Sequence, residues 1–411
     1  MTKIKTNRNN TNNVPPLRFP EFSGEWTKCR LGELAIKVGS GTTPKGGVNV
    51  YKSTGHYFIR SQNVGNGVLL LNDIVYIDEK THQRQISTEL KKDDVLLNIT
   101  GASIGRCAIA TSQIQGGNVN QHVCIIRLKE TVTPLYICYF LLSHRGQKQI
   151  DSFQAGGNRQ GLNFEQIKSF SLFLPMRDEQ DKISRLLFLL SDRIATQNKI
   201  IEDLEQLKSA LTDQLYSGQL RFHEFADDWG VSTFGHLTEH FSHRNRNSKH
   251  YPVFSVTKDT GFIPQEEQFE SREIAGDDIS SYKIIRQGEF AYNPARINVG
   301  SIARYDNETP CLISSLYVCI KPAADIDSDW LLYLLKSKRA IFYYNLYGEG
   351  GVRIYLFYPN FSRIKVKVPS IQEQHRIAAL LKYIADKILQ EKKLKDLYMA
   401  QKQFLLQRLF I

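Results

Sequence analysis

The stretch from Asp178 to Ser217 reads DEQDKISRLLFLLSDRIATQNKIIEDLEQLKSALTDQLYS, with no Pro or Gly. Steps of four and three from Ile183 reach Leu187, Leu190, Ile194, Gln197, Ile201, Leu204, Lys208, Leu211 and Leu215, and eight of these ten positions are aliphatic. A mean spacing of ~3.5 residues is that of a coiled-coil seam, narrower than the stripe of an ordinary surface helix. The spacing predicts one unbroken helix of about 40 residues, ~60 Å long at ~1.5 Å per residue. Its seam cannot be buried alone, so the helix needs a partner.

The same chain supplies one. At an offset of 194 residues, Pro175 recurs as Pro369, Glu179–Gln180 as Glu373–Gln374, Ile183 as Ile377, Leu187 as Leu381, Leu190 as Ile384 and Ile194 as Ile388. Each helix follows a proline that closes a strand-like run, and Ser370 with Glu373 has capping-box spacing. A second repeat lies upstream at an offset of 203: Leu17, Arg18, Phe19, Trp26 and Gly32 recur as Leu220, Arg221, Phe222, Trp229 and Gly235. An internal repeat of lead-in, globular part and closing helix accounts for both offsets, with nine residues fewer in the second globular part. The expected fold class is α+β, two globular domains in pseudo-repeat. The expected order is a disordered basic tail at 1–13, a first domain at 14–177, a central helix at 178–217, a second domain at 218–370 and a distal helix at 371–411.

Between lead-in and helix, His56 to Arg60, Asp94 to Thr100, Gly105 to Ala110 and Val123 to Leu128 read as strands, and Thr133 to Arg145 as a helix. In the second unit, Glu289 to Asn293, Gly300 to Tyr305 and Leu316 to Ile320 read as strands, and Asp329 to Ala340 as a helix. The units agree in lead-in and closing segments and differ in the middle, as expected if each presents a different binding surface.

Nothing in the sequence signals an active site. Tyr292–Asn293–Pro294–Ala295 lacks the second proline and the aromatic of an amino-methyltransferase loop, and reads as a strand-end turn. Gly39–Ser40–Gly41 is followed by Pro44, which would break a helix, and no P-loop occurs. His240 and His243 read as solvated, and no histidine pairs with cysteine at zinc-ligand spacing. The six cysteines (Cys29, Cys107, Cys124, Cys138, Cys311, Cys319) are scattered and read as reduced and buried, which points to the cytoplasm. No apolar run reaches the ~18 residues of a membrane span, and the polar N-terminus lacks the apolar region of a secretory signal.

The formal net charge of +11 favours a polyanionic partner. Polar, basic loops supply candidate contacts. The first unit offers Thr43, Lys45, Arg60, Ser61, Asn63, Arg106, Asn120, Gln121 and Arg159; the second offers His243, Arg244, Arg246, Asn247, Lys249, Arg296 and Arg353. Arg forks match guanine edges, Asn and Gln match adenine, and Lys and Arg neutralise phosphates. Any one of these residues alone reads as a solvated loop residue; as sets in a basic chain they favour DNA.

Two variable units, each closed by a helix starting LPxxxEQxxI (Leu174 to Ile183) or VPxxxEQxxI (Val368 to Ile377), resemble the specificity subunit of a type I restriction–modification system. GSGTTPK (Gly39 to Lys45), Asp94 to Ala110 and NVNQHV (Asn118 to Val123) resemble loops of that family's first target-recognition domain; the second unit departs from these patterns. The resemblance implies a non-catalytic subunit whose domains each read half of a bipartite, asymmetric site in double-stranded DNA. It implies an antiparallel helix pair that sets the gap and docks two methyltransferase subunits, which methylate adenine with S-adenosylmethionine. Restriction subunits using ATP and Mg complete the assembly, and this chain binds no cofactor of its own. The repeat also looks circular, since the lead-in would continue it after the distal helix, so the two chain ends are expected to lie close together. The rival readings are a self-sufficient nuclease or methyltransferase, and a scaffold that joins subunits without reading DNA.

Overall fold

The computed structural model describes residues 13–154, 161–247, 249–268, 279–351 and 353–411. The tail assigned to 1–13 lies outside them except for Asn13. Packing divides the chain into two units: residues up to Asn198 together with Lys393–Ile411, and Lys199–Lys392. Each unit therefore takes one half of both long helices, Arg177–Ser217 and Ile371–Arg408.

In the first unit, Ile183 and Leu187 are buried in one core with Leu405, Leu406, Leu409 and Phe410, and Leu190 packs against it. Arg193 reaches Tyr398 at 3.3 Å. In the second unit Ile201, Ile384 and Ile388 form an apolar cluster with Leu204, Leu211 and Leu380, while Leu215, Ile377 and Leu381 join the domain core. The start of one helix meets the end of the other, so the pair is antiparallel, and the seam is buried as its periodicity requires. Ile194 is half-buried. Lys208 is a polar seam position. Its ammonium lies 5.0 Å from the Tyr333 ring centroid, and at the same offset of 194 Lys402 lies 5.8 Å from that of Tyr139. Burial lowers the pKa of both lysines, and the ring face offers each a partner that needs no water.

The recurring lead-in residues meet the recurring helix start. Glu179, with a side chain 2% exposed, accepts from Arg18 Nε and Nη2 at 2.8 Å each and from Trp26 Nε1 at 3.2 Å. Glu373 repeats this with Arg221 at 3.0 and 2.8 Å and Trp229 at 3.0 Å. The neighbouring glutamines also act alike. Gln180 Oε1 accepts from the Thr133 N–H and its Nε2 donates to the Pro175 carbonyl; Gln374 does the same with Asp327 and Pro369. The capping box expected at Ser370 is half formed: Ser370 Oγ accepts from Glu373 N at 3.3 Å, while the Glu373 carboxylate turns to the Arg–Trp pair. The lead-in continues into a strand, Thr27–Arg30, paired antiparallel with Ser171–Leu174; Gly230–Thr233 pairs likewise with Lys365–Val368. Leu17 N donates to Arg408 O at 3.2 Å, so the lead-in does adjoin the end of the distal helix.

Each globular part carries two further sheets. In the first unit the order is Ala35–Ser40, Val123–Leu128, Val95–Asn98 and Cys107–Ile109, all antiparallel. A smaller sheet has Val75–Ile77, His56–Ile59 and Asn118–Val119, the last pair parallel. The second unit repeats the first sheet as Thr238–Phe241, Val318–Pro322, Phe290–Tyr292 and Ile302–Arg304. Its second sheet has four strands, Gly261–Pro264, Val253–Thr257, Cys311–Ile313 and Lys283–Ile285. The helices expected at 133–145 and 329–340 are each two helices. Pro134–Leu142 gives way to His144–Ser152 and Ser328–Lys336 to Lys338–Tyr347. Ser143 and Ser337 make the break by capping Gly146 N and Ala340 N, a role for which serine is suited. Five of the cysteines are buried and Cys29 is only half-buried; none is bonded to another.

Truncating one member of a buried, forked ion pair strands the other charge, at a cost of about 3 kcal/mol. Glu179→Ala is expected to destabilise the first unit by about that amount. Amide exchange should then accelerate in Thr27–Arg30 and Ser171–Leu174, and Glu373→Ala should do the same to Gly230–Thr233 and Lys365–Val368. Exchange mass spectrometry that found these strands unaffected would show that the carboxylates hold nothing in place.

Candidate nucleic-acid interface

In the first unit the candidate loops are drawn together by side-chain amides, those of Asn98, Asn120 and Gln85 buried and that of Gln121 exposed. Asn98 ends a strand, is fully buried, and donates to Ser61 O at 2.8 Å and Ser103 Oγ at 3.1 Å. Its own N–H donates to Arg106 O. Asn120 N donates to Ile59 O, and Asn120 Oδ1 accepts from His122 N. Gln121 Oε1 accepts from Thr43 N at 2.8 Å, and Gln85 Oε1 from Thr42 N at 3.2 Å. Thr43, Ser61, Arg106, Asn120 and Gln121 thus belong to one knot of loops, with Lys45 two residues beyond Thr43. Gly41 is required at its centre, because a Cβ there would lie 1.8 Å from the Val119 carbonyl oxygen.

The candidates are not equally available. Lys45, Arg106 and Gln121 are exposed, and Arg106 has no side-chain partner among the described residues. Asn63 is 1% exposed; it accepts from Arg60 N and donates to the Leu70 and Asp73 carbonyls, so its amide shapes the loop. Asn120 is 7% exposed. Arg60 bonds Asp73 O and Oδ2 at 2.7 and 3.2 Å and lies over the Tyr51 ring. Arg159 lies outside the described residues. Sequence reasoning missed Gln85, Asn98 and His82. His82 Nδ1 lies 2.7 Å from Asn118 Oδ1 and its ring stacks on His56 at 3.8 Å, while His56 Nε2 lies 2.7 Å from Glu79. A signal existed for Asn98 alone: an amide at the end of an apolar strand run.

The second unit places its candidates in two groups. His243, Arg244, Arg246, Asn247 and Lys249 are exposed around Asn245, which is 1% exposed and bonds Lys249 N and O through its amide. This loop is held to the strand Lys283–Ile285 by Ile284 N–His243 O and Asn245 N–Tyr282 O. Arg296 and Arg353 are carried by two other segments, which are joined through Leu356 N–Pro294 O at 3.0 Å. Asn293 Oδ1 accepts from Ala295 N, so Tyr292–Asn293–Pro294–Ala295 is the strand-end turn its sequence suggests. Among the described residues no cluster of His, Cys, Asp or Glu is arranged to hold a metal, and no helix is long and apolar enough to cross a membrane.

Comparison with known proteins agrees with this geometry. Residues 23–206 and 231–397 match the family described as type I restriction modification DNA specificity domain. The chain is 22% identical over 412 residues to the MjaX type I restriction enzyme specificity subunit of Methanocaldococcus jannaschii, covering 93% of this chain and 92% of that one. It is 26% identical over 169 residues to the EcoBI specificity subunit of Escherichia coli, covering 39% and 35%. Its fold is similar to the crystal structure of a type I S subunit from M. genitalium, with a TM-score of 0.59 and 16% identity over 97% of this chain and 99% of that one. A second structure, of the type I R-M system, gives a TM-score of 0.54 at 16% identity over 93% and 96%.

Gly41→Ala is expected to cost the first unit at least ~1–3 kcal/mol, the range for an overpacked site, read as a lower urea midpoint; an unchanged midpoint would mean the loop knot yields freely. His56 supplies a pH test. Its hydrogen bond to Glu79 raises its pKa, so the charged form stabilises the fold below the unfolded value of ~6.5, and that contribution is lost as pH rises through the folded value. Glu79 is itself held low, first by Gln83 and then by His56, and stays ionised throughout this window. The urea midpoints of the parent and Glu79→Gln should therefore differ more at about pH 6 than at about pH 9; an equal gap would remove the coupling.

Proposed function

Because this chain belongs to the type I restriction–modification DNA specificity family and carries two of its target-recognition domains, we propose that each domain reads one half of a bipartite, asymmetric site in double-stranded DNA. The antiparallel helices set the unspecified gap and dock two methyltransferase subunits. Those subunits methylate adenine with S-adenosylmethionine, and restriction subunits with ATP and Mg join in the full complex. The chain itself is a non-catalytic reader that works in the cytoplasm. The observation that carries this reading is one frame built twice under two different sets of polar loops. The Arg–Glu–Trp clasp and the paired strands recur residue for residue, whereas the amides that hold the candidate loops differ: Asn98 reaches Ser61 and Ser103 in the first unit, and Asn245 holds its own loop in the second. A scaffold would not need its two copies to keep the frame and diverge in the loops that expose cations. Exposed Arg and Lys in both loop sets would neutralise phosphates, and Arg, Gln and Asn would contact base edges.

The test is methylome sequencing of DNA from a methylation-free host that expresses this chain with its cognate methyltransferase, and the methyltransferase alone. Methyladenine at one bipartite motif, dependent on this chain, is the expected outcome. Exchanging residues 39–173 for another member's unit should change one half-site only. A stable complex that produces no motif would put the scaffold reading first. Affinity for the motif should also fall linearly with the logarithm of salt concentration, with a slope near −0.9 per phosphate neutralised.

A further inference from the structure

The second unit presents two large rings outward on a hydrogen-bonded segment. Leu356 is fully buried and its N–H bonds the Pro294 carbonyl, while Tyr355 and Glu349 exchange backbone hydrogen bonds at 2.8 Å each. Side chains alternate along an extended segment, so with Leu356 pointing in, Tyr355 and Phe357 share the outer face. They are 38% and 52% exposed. Their planes are 10° from parallel with centroids 6.2 Å apart. Arg353 lies two residues before Tyr355 and Arg296 two residues after Pro294, whose carbonyl bonds Leu356; both are exposed and without a side-chain partner among the described residues. Parallel rings beside free guanidinium groups are the arrangement that holds a base by its face and its phosphate by charge.

We propose that Tyr355 and Phe357 form a stacking site for one unstacked base in the half-site read by this unit. The proposal rests on the DNA-reading function above, since adenine must leave the helix to be methylated and the opened duplex leaves bases without their stacking neighbours. The site is one-sided. At the offset of 194 the first unit has Gly161 and Asn163, which carry no ring. The second unit also exposes Val299, Phe342 and Leu346, so docking of a protein partner is the alternative. Chemistry separates the two: leucine substitutes for an aromatic in an apolar contact but offers no face to a base.

The experiment uses the full chain assembled with its methyltransferase and the duplex identified by methylome sequencing. Binding of the parent and of the Tyr355→Leu/Phe357→Leu variant is compared on duplexes with a single abasic site moved through both half-sites. The expected result is an assembled variant that binds intact duplex roughly ten-fold more weakly. The effect of the abasic site should differ between parent and variant by a similar factor at one position of one half-site. Tyr355→Phe should behave as the parent. Equal abasic effects at every position would overturn the proposal, as would loss of the methyltransferase from the variant, which would make the surface a docking site. Failure of the parent to discriminate its motif from unrelated duplex would instead overturn the reader function itself.

Discussion

The fold of each unit depends on one buried carboxylate. Glu179 and Glu373 sit in the first turn of the long helices, where the helix dipole favours negative charge, and each receives an arginine fork and an indole N–H from the lead-in. The arginine side chains are 17% and 23% exposed and the carboxylates 2%. Such a pair is not evidence of great stability, because desolvation offsets much of the attraction. Its value is in geometry, since a two-point fork accepts one orientation. It sets where the lead-in strand meets the strand before the helix, and Gln180 and Gln374 set where the domain helix begins.

A frame fixed in this way leaves the loops free to differ. The first unit holds its loops with amides at the ends of strands, and the second with Asn293 at a strand end and Asn245 inside its loop. A buried amide can bond two or three backbone groups at once, so a few such residues order long polar segments without apolar packing. That leaves outward-facing cations and rings free to vary in kind and position between the two units.

The long helices serve both units, and their seam is not uniformly apolar. A lysine over a tyrosine ring recurs in each unit. Polar positions in a seam cost stability but disfavour other registers, in which their partner is lost. In a pair of helices whose repeat could slide by one heptad, that selectivity has a clear physical use.

Periodicity and repetition determined much of this from sequence alone. The 3.5-residue seam required a long helix with a partner, the offset of 194 located that partner, and the repeated lead-in announced two equivalent units. Patterns of that kind are local or self-referential, so they survive without coordinates. The structure alone decided that Arg18 meets Glu179, 161 residues away, although both recur in the sequence; recurrence says nothing about contact. It also decided that each domain helix breaks at a serine, because a continuous apolar run hides a cap. And it decided which polar loop residues face outward. Asn63 and Gln121 look alike in sequence, yet one is enclosed by its own loop and the other is exposed. That difference arises from the three-dimensional path of the backbone around them, which residue type does not encode.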